Sequence, residues 1–203
     1  MIARGLSEWS ARIDQLGPGA QYYRYDPREA RRLLAEAGFP QGLKTQLNVT
    51  SGYGTDAVDS YQMVQRQLKE SGIEAELKVQ VYGAYASTTN VGKFDGLAMG
   101  PAGIAWEPHT VLYGKLMPGE PRNNSHVNDP RLSAMVKEQM RTKDLEARRK
   151  IVLDIQRHIA EQQYYVYLYS VGITSSWQPY VKNYAPNTVF DYGNRASAAW
   201  IDR

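Results

Sequence analysis

From residue 73 to residue 82 the chain alternates almost without fault, with Ile73, Ala75, Leu77, Val79 and Val81 on one side and Glu74, Glu76, Lys78 and Gln80 on the other. A two-residue period is that of a β-strand, and so complete a polar set predicts one solvated face near the edge of a sheet. Residues 43–49 repeat the pattern, with Leu43, Leu47 and Val49 opposite Lys44, Gln46 and Asn48. Between the two strands, residues 56–71 carry Ala57, Tyr61, Val64 and Leu68 at helical spacing, and Gly72 can end that helix in the left-handed conformation. Strand, helix and strand with short loops make a βαβ unit. Its crossover is expected to be right-handed and its strands parallel.

The rest of the chain is read around that unit. Residues 1–24 are an entry segment with a turn at Gly17-Pro18-Gly19. Residues 25–40 have the grammar of a whole helix. Asp26 caps, Pro27 fits the first turn, Glu29 completes a capping box, and Gly38 stops the helix. Ala30, Leu33, Leu34 and Ala37 form one apolar stripe, expected to face the sheet. A loop at 50–54, a short helix over 84–91 and a strand over 94–99 are predicted next. Residues 100–116, rich in Gly, Pro and aromatics, have no steady period, and 118–128 are polar. Asp129-Pro130 starts a helix to about 141, and Asp144 caps another through 162 with Ile151, Ile155 and Ile159 on one side. A strand over 164–173 and an irregular tail containing Trp177, Tyr180, Tyr184 and Trp200 complete the chain. The βαβ unit and its flanking helices should make a core without that tail.

Composition excludes several classes. There is no cysteine among the 203 residues, so thiolate chemistry and disulfides are absent. His109, His126 and His158 are far apart and unpaired by metal-ligand spacing, so neither a metal nor a cofactor is expected. A net charge of +3 with dispersed basic residues argues against nucleic acid. No run of about 18 apolar residues is present to span a membrane, and residues 1–20 lack the pattern of a signal peptide. Fifteen tyrosines and 4 tryptophans against 3 phenylalanines suit clefts that bind polar organic ligands. An enzyme has little support: Gly-x-Ser-x-Gly is absent, and Gly52-Tyr53-Gly54 lacks both the dinucleotide fingerprint and the P-loop lysine.

A resemblance rests on ordered motifs: Tyr25-Asp26-Pro27, Leu33-Leu34-Ala35-Glu36-Ala37-Gly38, Phe94-Asp95, Trp106-Glu107-Pro108, Asn128-Asp129-Pro130 and the run from Asp144 to Arg149, with the aromatic segment around Tyr165 and Tyr169 after the last long helix. Together they resemble the C-terminal lobe of extracytoplasmic solute-binding proteins of the oligopeptide/dipeptide (peptide/nickel) ABC-transporter type, over most of residues 22–182. The resemblance implies an α/β fold, a periplasmic-binding-protein-like lobe whose mixed sheet has a parallel βαβ unit flanked by helices, plus an irregular C-terminal tail. It implies a ligand-binding lobe over 1–172 and a tail over 173–203 that returns to an N-terminal lobe outside this sequence. Members are not enzymes. They capture a peptide-like or other small organic solute between lobes and deliver it to ABC permease subunits, in a periplasmic or extracellular setting, membrane-associated in a Gram-positive-type host. The rival readings are a protein-interaction module using the aromatic tail and, behind it, a hydrolase.

In peptide-binding relatives the segment after the third strand holds a Trp and an acidic residue that binds the peptide's amino terminus. Aligned on Pro108, those positions fall at Pro101 and Ile104. An ammonium group in a closed cleft needs a compensating charge, so the resemblance implies a less cationic or partly apolar solute, unless Glu107 supplies the charge. The candidate ligand-binding residues are Tyr53, Met99, Ile104, Trp106, Glu107, His109 and Asn124. Several have plainer readings: Trp106 as a hydrophobic plug, Glu107 as a helix cap, His109 as a loop histidine, and Asn124 as part of a polar turn.

Overall fold

Strands β1 (Leu43–Thr50) and β2 (Ile73–Gln80) run parallel in register from Leu43 opposite Ile73 to Thr50 opposite Gln80, and helix α2 (Thr55–Glu70) makes the crossover. The structure is a computed structural model that describes residues 2, 6, 8–102, 107–170, 176–184 and 197–202. A two-residue strand, β3 (Leu97–Ala98), pairs parallel on the other side of β1, giving the order β2-β1-β3 with β2 at the edge. Leu47, Val49, Ala75 and Tyr61 form the buried core between strands and α2, surrounded by Ala57, Val64, Leu68, Leu77 and Met99. The apolar set of β2 outruns its cover: Val79 is 57% exposed and Val81 76%. The strand therefore ends at Gln80, and Val81 begins α3 (Tyr82–Ser87), followed by a separate 3-10 turn at Thr89–Val91.

The first helix, α1 (Pro27–Glu36), forms as its caps predict. The Asp26 carboxylate accepts from the Arg28 and Glu29 N–H groups at 3.1 and 3.0 Å. Its placement corrects the expectation that its stripe faces the sheet. None of its residues is buried, and Leu33 is 41% exposed. α2 already covers the apolar face of the strands, so α1 is tied instead to the turn after α2, where Arg31 Nε donates to the Glu70 carbonyl at 2.9 Å and the Tyr25 hydroxyl donates to the Glu70 carboxylate. Replacing Asp26 by alanine removes the cap and no tertiary contact. A loss of about 1 kcal/mol in a urea titration is expected.

Helix α4 (Pro108–Leu116) lies where no period was visible, and buries Leu112 and Leu116. Helices α5 (Pro130–Arg141) and α6 (Leu145–Gln162) pack on each other, α5 burying Leu132 and Val136 and α6 burying Val152, Ile155 and Ile159. Ile155 and Ile159 are buried as predicted, whereas Ile151 is only half-buried and Val152 takes the core position beside it. A 3-10 stretch at Gly17–Tyr23 packs against α6, where the expected turn lies. The strand predicted over 164–173 does not form across its described part: Gln163 ends α6 in the left-handed conformation, and 164–170 join no ladder. The hydroxyls of Tyr164 and Tyr165 are used as ties to Asp129 and to the Lys115 carbonyl. Aromatic and β-branched content supplies strand propensity but no partner edge. Residues 171–173 lie outside the described set.

The chain divides into two compact units, Met1–Val166 and Tyr167–Arg203. In the second, β4 (Val181–Lys182) and β5 (Trp200–Ile201) pair antiparallel, and Trp177 meets Tyr184 edge to face at 5.4 Å.

Candidate functional site at the C-terminal ends of the strands

In open parallel sheets ligands gather beyond the carboxyl ends of the strands. Here β1 leaves the sheet at Thr50, whose hydroxyl accepts from the Gly52 N–H at 3.1 Å and so starts the 3-10 turn Ser51–Tyr53. That turn sets the Tyr53 ring edge-on to Tyr82, at 5.5 Å between centroids, and to Tyr85, at 6.1 Å. Tyr85 is buried, and its hydroxyl donates to the Met99 carbonyl at 3.2 Å. Met99 in turn donates its N–H to the Asn48 carbonyl at 3.0 Å, which continues the β1–β3 pairing by one step. Gly100 passes directly beneath the Tyr85 hydroxyl, where a Cβ would lie 2.1 Å away, so no larger residue fits without moving that ring. Tyr53, Tyr82, Tyr85 and Met99 thus form one cluster. Burial pushes the Tyr85 hydroxyl up to about 12, and burial with the neighbouring Tyr82 and Tyr61 raises that of Tyr53. Near neutral pH the cluster offers ring faces, a thioether and neutral hydroxyls, not phenolates.

Two of these residues, Tyr82 and Tyr85, were not predicted. The available signal was their position just past the end of β2, the same relation that singled out Tyr53 past the end of β1.

Glu107 and His109 stand in a different arrangement. The Glu107 carboxylate caps α4, accepting from the His109 N–H at 2.7 Å, and forms an ion pair with Arg148 of α6. The guanidinium of Arg148 donates twice to the amide oxygen of the fully buried Gln139, at 3.1 and 3.0 Å, and lies 5.0 Å over the Trp9 ring. With its oxygen so occupied, the Gln139 amide turns its NH2 to His109 Nδ1 at 3.0 Å, which leaves the histidine proton on Nε2. Glu107 is therefore neutralised and His109 is fixed from below. Glu107-Pro108 is the same acid–proline opening as Asp26-Pro27 and Asp129-Pro130, and it is the signal by which α4 could have been found. Asn124 is a tie: its Oδ1 accepts from Lys115 Nζ at 2.6 Å and its Nδ2 donates to the Asn90 carbonyl at 2.5 Å. Ile104 and Trp106 lie outside the described residues. Among the described residues no group of three His, Asp or Glu side chains could hold a metal ion, and no helix is long and apolar enough to cross a membrane.

Residues 9–121, more than half of the chain, match the family described as bacterial extracellular solute-binding proteins, family 5, middle. The chain belongs to this family. Among curated proteins, it is 29% identical over 145 residues to a di/tripeptide-binding protein 1 of Pseudomonas aeruginosa, covering 68% of this chain and 27% of that protein. It is 39% identical over 67 residues to a glutathione-binding protein GsiB of Salmonella choleraesuis, covering 33% and 13% respectively. Among solved structures, an ABC transporter-associated periplasmic binding protein DppA from Helicobacter pylori, in complex with the peptide STSA, superposes with a TM-score of 0.68 at 25% identity. That match covers 89% of this chain and 35% of the other. The family-5 segment described here thus spans about a third or less of the length of these relatives. Its fold is the periplasmic-binding-protein-like α/β arrangement, with a parallel sheet flanked by helices.

Proposed function

We propose that the chain forms one lobe of the solute-binding component of an ABC importer, which captures a peptide-like or other small organic solute and delivers it to a membrane permease. The observation that carries this reading is the family-5 match together with the Tyr53–Tyr82–Tyr85–Met99 cluster at the ends of β1 and β3. The relatives named for di/tripeptides and glutathione support a peptide-like solute. A family described as extracellular supports a periplasmic or extracellular setting. In this reading residues 1–172 are the ligand-binding lobe and 173–203 a tail that returns to a second lobe. The division of the chain at 166/167 supports it.

The solute meets the cluster through ring faces and neutral hydroxyls. In this reading Tyr53 and Met99 contact it directly, and Ile104, Trp106, His109 and Asn124 are further candidate contacts. Glu107 is held by Arg148 and the α4 N-terminus, so it does not offer a free carboxylate to a ligand ammonium. A solute with a blocked or absent amine fits best. Calorimetry on the full-length protein with matched short peptides tests this: N-acetylated forms should bind at least as tightly as free-amine forms, and a strong free-amine preference overturns it. Tyr53→Ala, which removes one exposed ring from the wall, should weaken the tightest binder by about tenfold.

A further inference from the structure

Lys115 in the last turn of α4 is half-buried, yet among the described residues its ammonium meets no carboxylate. Among the described residues its hydrogen-bond partner is the Asn124 amide oxygen at 2.6 Å, and Asn124 is itself pinned by the Asn90 carbonyl at 2.5 Å. Among the described residues, the charge of Arg122, of the same sign, acts on it. Arg122 is exposed and has no ion-pair partner among the described residues.

A lysine with only water to satisfy turns its head outward along its flexible stem. Here the head is tied to Asn124, and Arg122 lies only two residues before Asn124 in the chain. One amide oxygen meets one of its three N–H groups and none of its charge. The carbonyl end of α4 offsets part of that charge, but burial and Arg122 still lower the Lys115 pKa. The ties from Asn124 run through Asn90 to Thr89, whose hydroxyl donates to Gln80 at the end of β2 at 2.8 Å, so the ammonium is anchored to the same end of the sheet as Tyr82.

We propose that Lys115 and Arg122 form an oxyanion subsite, for a carboxylate or phosphate group, in which Asn124 is a positioning residue that holds the ammonium in place. An anion would supply the two missing N–H partners and turn the repulsion between two cations into a shared attraction. The group could belong to the captured solute or to a free anion, and the chemistry recognised is the same.

The test uses the full-length protein with inorganic phosphate and with one peptide prepared as its C-terminal acid and as its amide. In wild type, phosphate should shift the Lys115 side-chain NMR signals and raise its pKa. Lys115→Met should weaken phosphate binding by about tenfold or more, while Lys115→Arg keeps it within about threefold. Asn124→Ala should weaken it with the charges unchanged. If the solute provides the group, the acid binds about tenfold tighter than the amide in wild type and equally in Lys115→Met. If a free anion provides it, phosphate binds and the two peptides do not differ. Phosphate and acid–amide responses that are both unchanged by Lys115→Met overturn the proposal. Failure of every peptide would instead overturn the solute reading, with the phosphate titration still deciding the subsite.

Discussion

Replacing Asp129 by alanine should lower the unfolding free energy by about 3–5 kcal/mol, a large part of the 5–15 kcal/mol typical of a domain. One carboxylate does three things here. Its Oδ1 caps α5 by accepting from the Leu132 N–H at 3.0 Å, and its Oδ2 accepts from His158 Nε2 at 2.5 Å and from the Tyr164 hydroxyl at 2.8 Å. His158 is buried, so removing the acid leaves two polar side chains and a helix end without partners in a place water reaches poorly. The effect is also pH-dependent. Burial raises the Asp129 pKa, but the bonds from His158, the Leu132 N–H and Tyr164 outweigh it and hold the carboxyl well below the usual carboxylate range. A depressed folded pKa contributes stability above the unfolded value of about 3.9 and loses it as pH falls through the folded one. Tyr164 works at the other limit. Burial, then Asp129, pushes its hydroxyl up to about 12, so its contribution is present below the unfolded value of about 10 and lost as pH rises through the folded one. Urea titrations across pH should therefore show the gap between wild type and Asp129→Ala widest near neutrality and narrowing in acid. A gap that stays constant from pH 2 to 7 would sink this account.

Asn48→Ala should cost about 2–4 kcal/mol and loosen the entry to the candidate site. Asn48 lies on the face of β1 away from α2 and is 1% exposed. Its Nδ2 donates to the Asp95 carbonyl at 2.8 Å and to the Leu97 carbonyl at 2.9 Å. Those bonds fix the approach to β3, which is only two residues long and has little ladder of its own. Gly96 sits between them at φ +74°, with its missing Cβ only 2.5 Å from Thr45 Oγ1, so the chain must turn tightly there. Alanine removes the side-chain donor that both carbonyls share and leaves a small cavity. Asn48→Asp should be worse, because a carboxylate faces the same two acceptors. Amide exchange at Leu97 and Met99 should speed up in both variants, and solute affinity should fall as Met99 and Gly100 lose their position. If Asn48→Ala unfolds within about 0.5 kcal/mol of wild type, the latch is not what holds β3.

The parallel pair, its crossover and the edge position of β2 were legible because each follows from a local period: two in the strands, near 3.6 between them. α1, α5 and α6 were legible from their acid caps. The strand expected over 164–173 shows the limit. Its Tyr- and Val-rich composition states a preference, but a strand exists only against a partner edge, and Tyr164 and Tyr165 spend their hydroxyls on Asp129 and Lys115 instead. At the site, Tyr53 and Met99 could be nominated from their places at strand ends. That Tyr53 meets Tyr82 and Tyr85 edge to face depends on how far α3 folds back over β1, which no spacing records.

The sequence by itself determined the α/β class, the caps, and the family, since these depend on residues close together in the chain and on the order of motifs. Only the tertiary structure decided what each polar candidate does. Glu107 meets Arg148 across 41 positions, Asn48 meets Leu97 across 49, and Asp129 meets Tyr164 across 35. A carboxylate or amide carries no local sign of whether it will be free to meet a ligand. That is settled by which charges and donors the fold brings within about 3 Å of it, and those come from elements whose packing is fixed by the apolar residues between them.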